Sequence, residues 1–203
     1  MTDWDGWRAG HGSISFEDNQ KFHSDFYEIC QEQKFYTSPQ IEGFLDLYQP
    51  STVVEIGGWR GELAQEYLND YENYNFTSWT NYELCKEAVR DSRCTDIRYH
   101  AVALSDYLWN GPRISADSFI AAHVIEHLSP DELEKLVGLL DVDSVYFEAP
   151  LLEPGQTWDG YDGSHILSFS WDDVHALMDR HGYECTWFYK PFDAGFAYYK
   201  KRY

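Results

Sequence analysis

The sequence predicts an α/β fold, a three-layer sandwich: a mostly parallel seven-stranded sheet with an antiparallel C-terminal strand and helices on both faces. Three observations predict it. From Ser51 onward, short apolar runs alternate with stretches of helical periodicity. The last two apolar runs, Tyr183–Tyr189 and Ala194–Lys200, are joined through Pro191 without an intervening helix, which makes them a terminal strand pair. And 203 residues, 43% hydrophobic and 18% aromatic, suffice for one domain with a sizeable core.

The elements follow in order. Ser38 and Pro39 open a short helix, serine as N-cap and proline at the first helical position. Its buried stripe is Ile41, Phe44, Leu45 and Tyr48, and Pro50 stops it. Thr52–Ile56 reads as the first strand and Gly61–Asn69 as a helix with Leu63, Ala64, Tyr67 and Leu68 on one face. Phe76–Tyr82 is a second strand, Leu84–Arg90 a second helix of this series, and Ile97–Leu104 a third strand. Asp117–Ala122 is the fourth. Ser129-Pro130-Asp131-Glu132 then forms a capping box that opens a helix lined by Leu133, Leu136, Val137 and Leu140. Ser144–Phe147 is a fifth strand. Ser170, with Asp173 at N3, caps a last helix whose inner face is Val174, Leu177 and Met178, and Gly182 falls where a C-terminal cap belongs. Residues 1–50 differ in texture, with Phe22, Phe26 and Ile29 at helical spacing, and read as an N-terminal helical or lid segment before a domain spanning 51–203.

Fifteen basic against thirty-five acidic residues give a net charge of −20, spread along the chain. Such a surface repels phosphate backbones, which argues against duplex DNA or bulk RNA as substrate. No apolar run approaches the roughly 18 residues of a membrane helix. The opening residues carry no secretory signal pattern, and Cys30, Cys85, Cys94 and Cys185 show no CxxC spacing. Reduced thiols, a cytoplasmic setting and no metal site are the expectation.

Chemistry is expected outside the carboxyl ends of the strands, where strand order reverses. The first strand runs into Glu55-Ile56-Gly57-Gly58-Trp59-Arg60-Gly61. Gly57 suits a sharp turn with unusual φ, and Gly61 a helix that starts close against the strand. This segment resembles the E/D-x-G-x-G-x-G loop of class I S-adenosylmethionine-dependent methyltransferases, with Trp59 in place of the middle glycine. Trp79 to Ala88 is similar to the family's second strand, whose closing carboxylate, here Glu83, accepts the ribose hydroxyls. Asp117 to Leu128, with His123-Val124-Ile125-Glu126-His127-Leu128, is similar to the fourth strand and turn of the small-molecule members. There the residue at the position of His123 lies beside the cofactor and the Glu-His pair braces the turn. The resemblance spans roughly Ser51 to Lys200.

It implies a Rossmann-like domain that binds S-adenosylmethionine, releases S-adenosylhomocysteine and methylates a small, non-nucleic-acid acceptor by in-line displacement. The implied cofactor contacts are Glu55, Gly57, Gly58, Trp59, Gly61, Glu83, Leu84, Leu104 and His123. His123 and His165 are the catalytic candidates. His165 is either a general base or a turn-capping histidine, while His100, His175 and His181 read as structural or surface residues. Trp59 either narrows the site, lays its indole against the methionine moiety, or marks a silent protein that binds cofactor or partner without turnover. A nicotinamide oxidoreductase fits less well, because G-x-G-x-x-G is not met. Trp4, Trp7, Phe22, Phe26, Trp158 and Tyr161 either cover a planar acceptor or pack long connections.

Overall fold

The computed structural model describes Ser24, Tyr27 and residues 39–69, 73–103, 113–128, 130–149, 170–191 and 194–203. In chain order these form α1 (Pro39–Tyr48), β1 (Thr52–Ile56), α2 (Glu62–Asn69), β2 (Ser78–Glu83), α3 (Lys86–Arg90) and β3 (Tyr99–Ala103). Then follow β4 (Ile114–Ala122), a 3-10 turn (Ile125–His127), α4 (Pro130–Leu139), β5 (Leu140–Ala149), α5 (Trp171–Arg180), β6 (Tyr183–Tyr189) and β7 (Gly195–Lys201). The seven strands make one sheet in the order β3-β2-β1-β4-β5-β7-β6. Pairing is parallel from β3 through β5, and β7 runs antiparallel to both β5 and β6.

Side chains alternate across the strands and so build two cores. On one face, Val54, Ile56, Phe119, Ala121, Val145 and Phe147 meet Leu133, Leu136 and Val137 of α4 and Val174, Leu177 and Met178 of α5. On the other, Val53, Trp79, Ile120, Tyr146 and Tyr198 meet Ile41, Phe44 and Leu45 of α1 and Leu63, Ala64, Tyr67 and Leu68 of α2. Apart from half-buried Tyr48 and from Leu140, the predicted stripes are the buried ones. Ser170 accepts the Asp173 N–H while the Asp173 carboxylate accepts the Ser170 N–H, a complete capping box on α5. Gly182 ends that helix at φ +86°.

Some boundaries differ from those read in the sequence. The helix after β1 starts at Glu62, because Gly61 at φ +79° belongs to the turn. β2 extends to Glu83, and α3 begins only at Lys86, since the Glu83 carboxylate holds the Cys85 N–H ahead of it. β3 begins at Tyr99, past the 92% exposed Ile97. β4 starts earlier, at Ile114, and β5 runs ten residues from Leu140, which is a strand residue and not part of the helix face. There α4 passes directly into β5 without a turn residue to mark the change. The expectations placed on Ser38, Ser129, Cys30 and Leu104, on the aromatics of 1–26, and on Trp158, Tyr161 and His165 lie outside the described residues. No helix among the described residues is long and apolar enough to cross a membrane.

Candidate functional site

The strand order reverses between β1 and β4, so the tips of these parallel neighbours stand side by side, with Ile56 beside Ala121. The chain leaves β1 through three positive-φ residues: Gly57 (+72°), Trp59 (+51°) and Gly61 (+79°). Two strand residues strap this turn from β2. Asn81 accepts the Gly58 N–H (3.0 Å) and donates to the Trp59 carbonyl (3.2 Å). Glu83 accepts the Trp59 N–H through Oε2 and the Cys85 N–H through Oε1, both at 2.8 Å. Trp79, Asn81 and Glu83 lie two residues apart and share one face of β2, which is why a single strand serves the whole turn.

Each glycine answers to a neighbour. A Cβ on Gly57 would press on Val124, one on Gly58 would overlap the Glu55 carboxyl, and one on Gly61 would overlap the Tyr99 ring. Trp59 takes the left-handed conformation with an indole attached, at a cost of about 1–2 kcal/mol. Its ring is 7% exposed and packs on Tyr27 (centroids 5.2 Å apart), Cys85 and Ala88.

Two carboxyls are buried under the turn. Burial pushes Glu55 up to about 8, opposed by a hydrogen bond from the Trp79 indole N–H (2.8 Å). Burial likewise pushes Glu83 up to about 7, against the backbone N–H groups that favour its charged form. Gly57 stays exposed and Leu84 half-buried beside them, at the open edge of the sheet.

At the tip of β4, His123 also adopts positive φ (+57°). Its N–H donates to the Glu148 carbonyl (2.8 Å), and its ring Nε2 lies 3.1 Å from Glu148 Oε1. Tyr146 donates to the other Glu148 oxygen at 2.6 Å. Glu126 Oε1 lies 3.7 Å from His123 Nδ1 and 3.9 Å from His127 Nε2, ionic spacing and not hydrogen bonding. Burial works against the His123 imidazolium, but Glu126 and Glu148 outweigh it and raise its pKa to about 10. The two flanking carboxylates thus favour the protonated form of His123 over one with a ring nitrogen free to take a proton.

The structure brings Glu55, Gly57, Gly58, Trp59, Gly61, Glu83 and Leu84 together at the tips of β1 and β2, and sets His123 at the tip of neighbouring β4. Sequence reasoning passed over Asn81, Tyr146 and Glu148. The available signal was a polar residue inside or closing an apolar strand, as in Tyr146-Phe147-Glu148. Among the described residues, no group of three or more His, Cys, Asp and Glu is placed to hold a metal ion.

No protein-family model matches the chain. No curated protein matches its sequence. Solved structures do match its shape. Burkholderia thailandensis 1,6-didemethyltoxoflavin-N1-methyltransferase, with bound 1,6-didemethyltoxoflavin and S-adenosylhomocysteine, is 15% identical at a TM-score of 0.65 over 91% of this chain and 87% of that one. The methyltransferase domain of bacterial CtHen1 is 15% identical at a TM-score of 0.61, covering 79% of this chain and 95% of the domain. Human N-acetylserotonin methyltransferase in complex with SAM is 15% identical at 0.61 over 93% of this chain, which spans 57% of that longer protein. At such identities the likeness is one of fold: the chain has the Rossmann-like fold of class I methyltransferases.

Proposed function

We propose that this chain transfers a methyl group from S-adenosylmethionine to a small-molecule, non-nucleic-acid acceptor. The observation that carries the reading is the strapped glycine turn at the strand-order reversal, open at Gly57 and facing the tip of β4. The residues present fit the cofactor: exposed main chain without Cβ at Gly57, half-buried apolar Leu84, and a carboxyl at the end of β2. Glu83 fixes the turn, and each of its oxygens keeps lone-pair capacity for a ribose hydroxyl. Leu104 is assigned to the adenine and Gly57–Gly58 to the amino-acid end. Glu55 and Gly61 act by shaping the turn.

When bound, the cofactor supplies an electrophilic methyl group on a sulfonium. The chain's own work is orientation and exclusion of water, which can supply about 7–11 kcal/mol when reacting atoms are held in line. His123, being protonated, serves as a donor or charge. Removal of an acceptor proton falls to His165. The same reading divides the chain into a covering segment, 1–50, and a catalytic domain, 51–203, working in the cytoplasm.

Titration calorimetry of the full chain with S-adenosylhomocysteine tests this. Saturable binding is expected, weakened about tenfold or more in Glu83→Gln, the equivalent of about 1.4 kcal/mol. Absence of heat with the intact protein overturns the reading. One observation favours a second reading, a silent binding protein: Glu83 is only 3% exposed and both its oxygens already serve the turn. Binding without any methyl transfer across a panel of phenol, amine and carboxylate acceptors is its expected signature.

A further inference from the structure

Glu126 is the most exacting residue of the β4 turn. It is 1% exposed, and neither carboxylate oxygen has a hydrogen bond among the described residues. A buried carboxylate without a hydrogen bond is costly and calls for a reason. Its nearest basic neighbours are His123 Nδ1 at 3.7 Å and His127 Nε2 at 3.9 Å. On the far side of the same imidazole stands Glu148, itself backed by the Tyr146 hydroxyl. Three features of His123 are thereby fixed at once. Its backbone is tied to the Glu148 carbonyl, its Nε2–H is spent on Glu148, and its Nδ1–H has no hydrogen-bond acceptor among the described residues. Both carboxylates are buried, while the His123 side chain is 55% exposed.

We propose that His123, clamped between Glu126 and Glu148, is a fixed cationic donor site for a ligand carboxylate. This rests on the methyltransferase reading for the identity of the ligand, which is either the amino-acid end of the cofactor or a carboxylate on the acceptor. Glu126 and Glu148 act through His123 and are positioning residues. Among the described residues, the groups set against the imidazole are Glu126 from the turn and Glu148 from β5, with His127 beside Glu126 and Tyr146 beside Glu148.

The test begins with the unmodified full chain. Its His123 Cε1–H resonance, identified by its loss in His123→Gln, is followed by NMR against pH. A flat response from pH 5 to 8.5 is expected, and in Glu148→Gln and Glu126→Gln the midpoint falls toward the ordinary histidine range. Titration near 6.5 in the unmodified protein overturns the proposal. The ligand is then probed with S-adenosylhomocysteine, with 5′-methylthioadenosine, which lacks the amino-acid part, and with benzoate. A roughly tenfold loss of S-adenosylhomocysteine affinity in His123→Gln, with 5′-methylthioadenosine unchanged, assigns the cofactor's carboxylate. Unchanged nucleoside affinities together with a saturable benzoate shift of the His123 resonance assign an acceptor carboxylate. Equal weakening of both nucleosides, or no response to any of the three probes, overturns the site. If neither nucleoside binds the unmodified protein, the cofactor reading fails, and benzoate still decides the carboxylate site.

Discussion

Trp59 sets two opposing quantities against each other. Restoring the glycine of the resembling loop would remove a left-handed strain of about 1–2 kcal/mol. It would also delete an indole that is 7% exposed and packed on Tyr27, Cys85 and Ala88, and truncating a buried tryptophan costs about 3–5 kcal/mol. The packing term wins. Trp59→Gly is therefore expected to destabilise the chain by about 2–3 kcal/mol, read as a lower urea midpoint at unchanged slope. A variant as stable as the parent would show that the ring's packing contributes no more than the roughly 1–2 kcal/mol of strain it offsets. The turn's glycines were legible from the sequence because their demands are local, a φ sign or a close approach. The partners of those residues were not. Asn81 and Glu83 reach the turn only because β2 lies beside β1, and Glu148 reaches His123 only because β5 lies beside β4.

Among the elements, helix inner faces were read correctly except for Leu140, because burial follows the 3.6-residue period that Ile41, Phe44 and Leu45 display. Strand ends were harder to read. Leu140-Asp141-Val142-Asp143 follows α4 directly, and the nearest glycine, Gly138, lies inside the helix, so nothing marks the switch of period at the boundary itself. One inter-element contact is unusually close. Gly195 opens β7 opposite Ala149, and a Cβ there would overlap the Trp171 indole at the start of α5. Trp171 is itself buried against the helix-bearing core, so it has little room to withdraw. Gly195→Ala is expected to cost about 2–3 kcal/mol, the upper range for overpacking, measured by urea denaturation. Ser170→Ala, which removes a cap from the same helix, should cost only about 1 kcal/mol. If the two variants are equally mild, α5 moves freely on the sheet and the close approach is not a constraint.

At the scale of the whole molecule, pH acts through buried groups and net charge with the same sign. Glu55 and Glu83 have folded-state values raised to about 8 and about 7. Between pH 4.5 and 8 the folded chain therefore holds protons that the unfolded chain has released, and stability falls as pH rises. His123, raised to about 10, contributes stability that is complete below about 6.5 and is lost as pH climbs through 10. A net charge of −20 adds self-repulsion that grows over the same interval as histidines lose protons. The opposite trend begins only below about pH 4, where Asp91 and Asp96, both lowered to about 2 by neighbouring arginines, start to lose their advantage. The melting temperature should accordingly peak near pH 5 and decline toward pH 9. Salt separates the two causes, because about 0.5 M KCl screens surface repulsion and leaves the buried carboxyls almost untouched. Glu55→Gln does the reverse: it keeps the hydrogen bond from Trp79 without the penalty of a buried charge. At pH 9 it should be more stable than the parent by on the order of a few kcal/mol, and the difference should shrink toward zero at pH 5. A Glu55→Gln curve parallel to the parent's from pH 5 to 9 would place the pH dependence on the surface and remove Glu55 from the account.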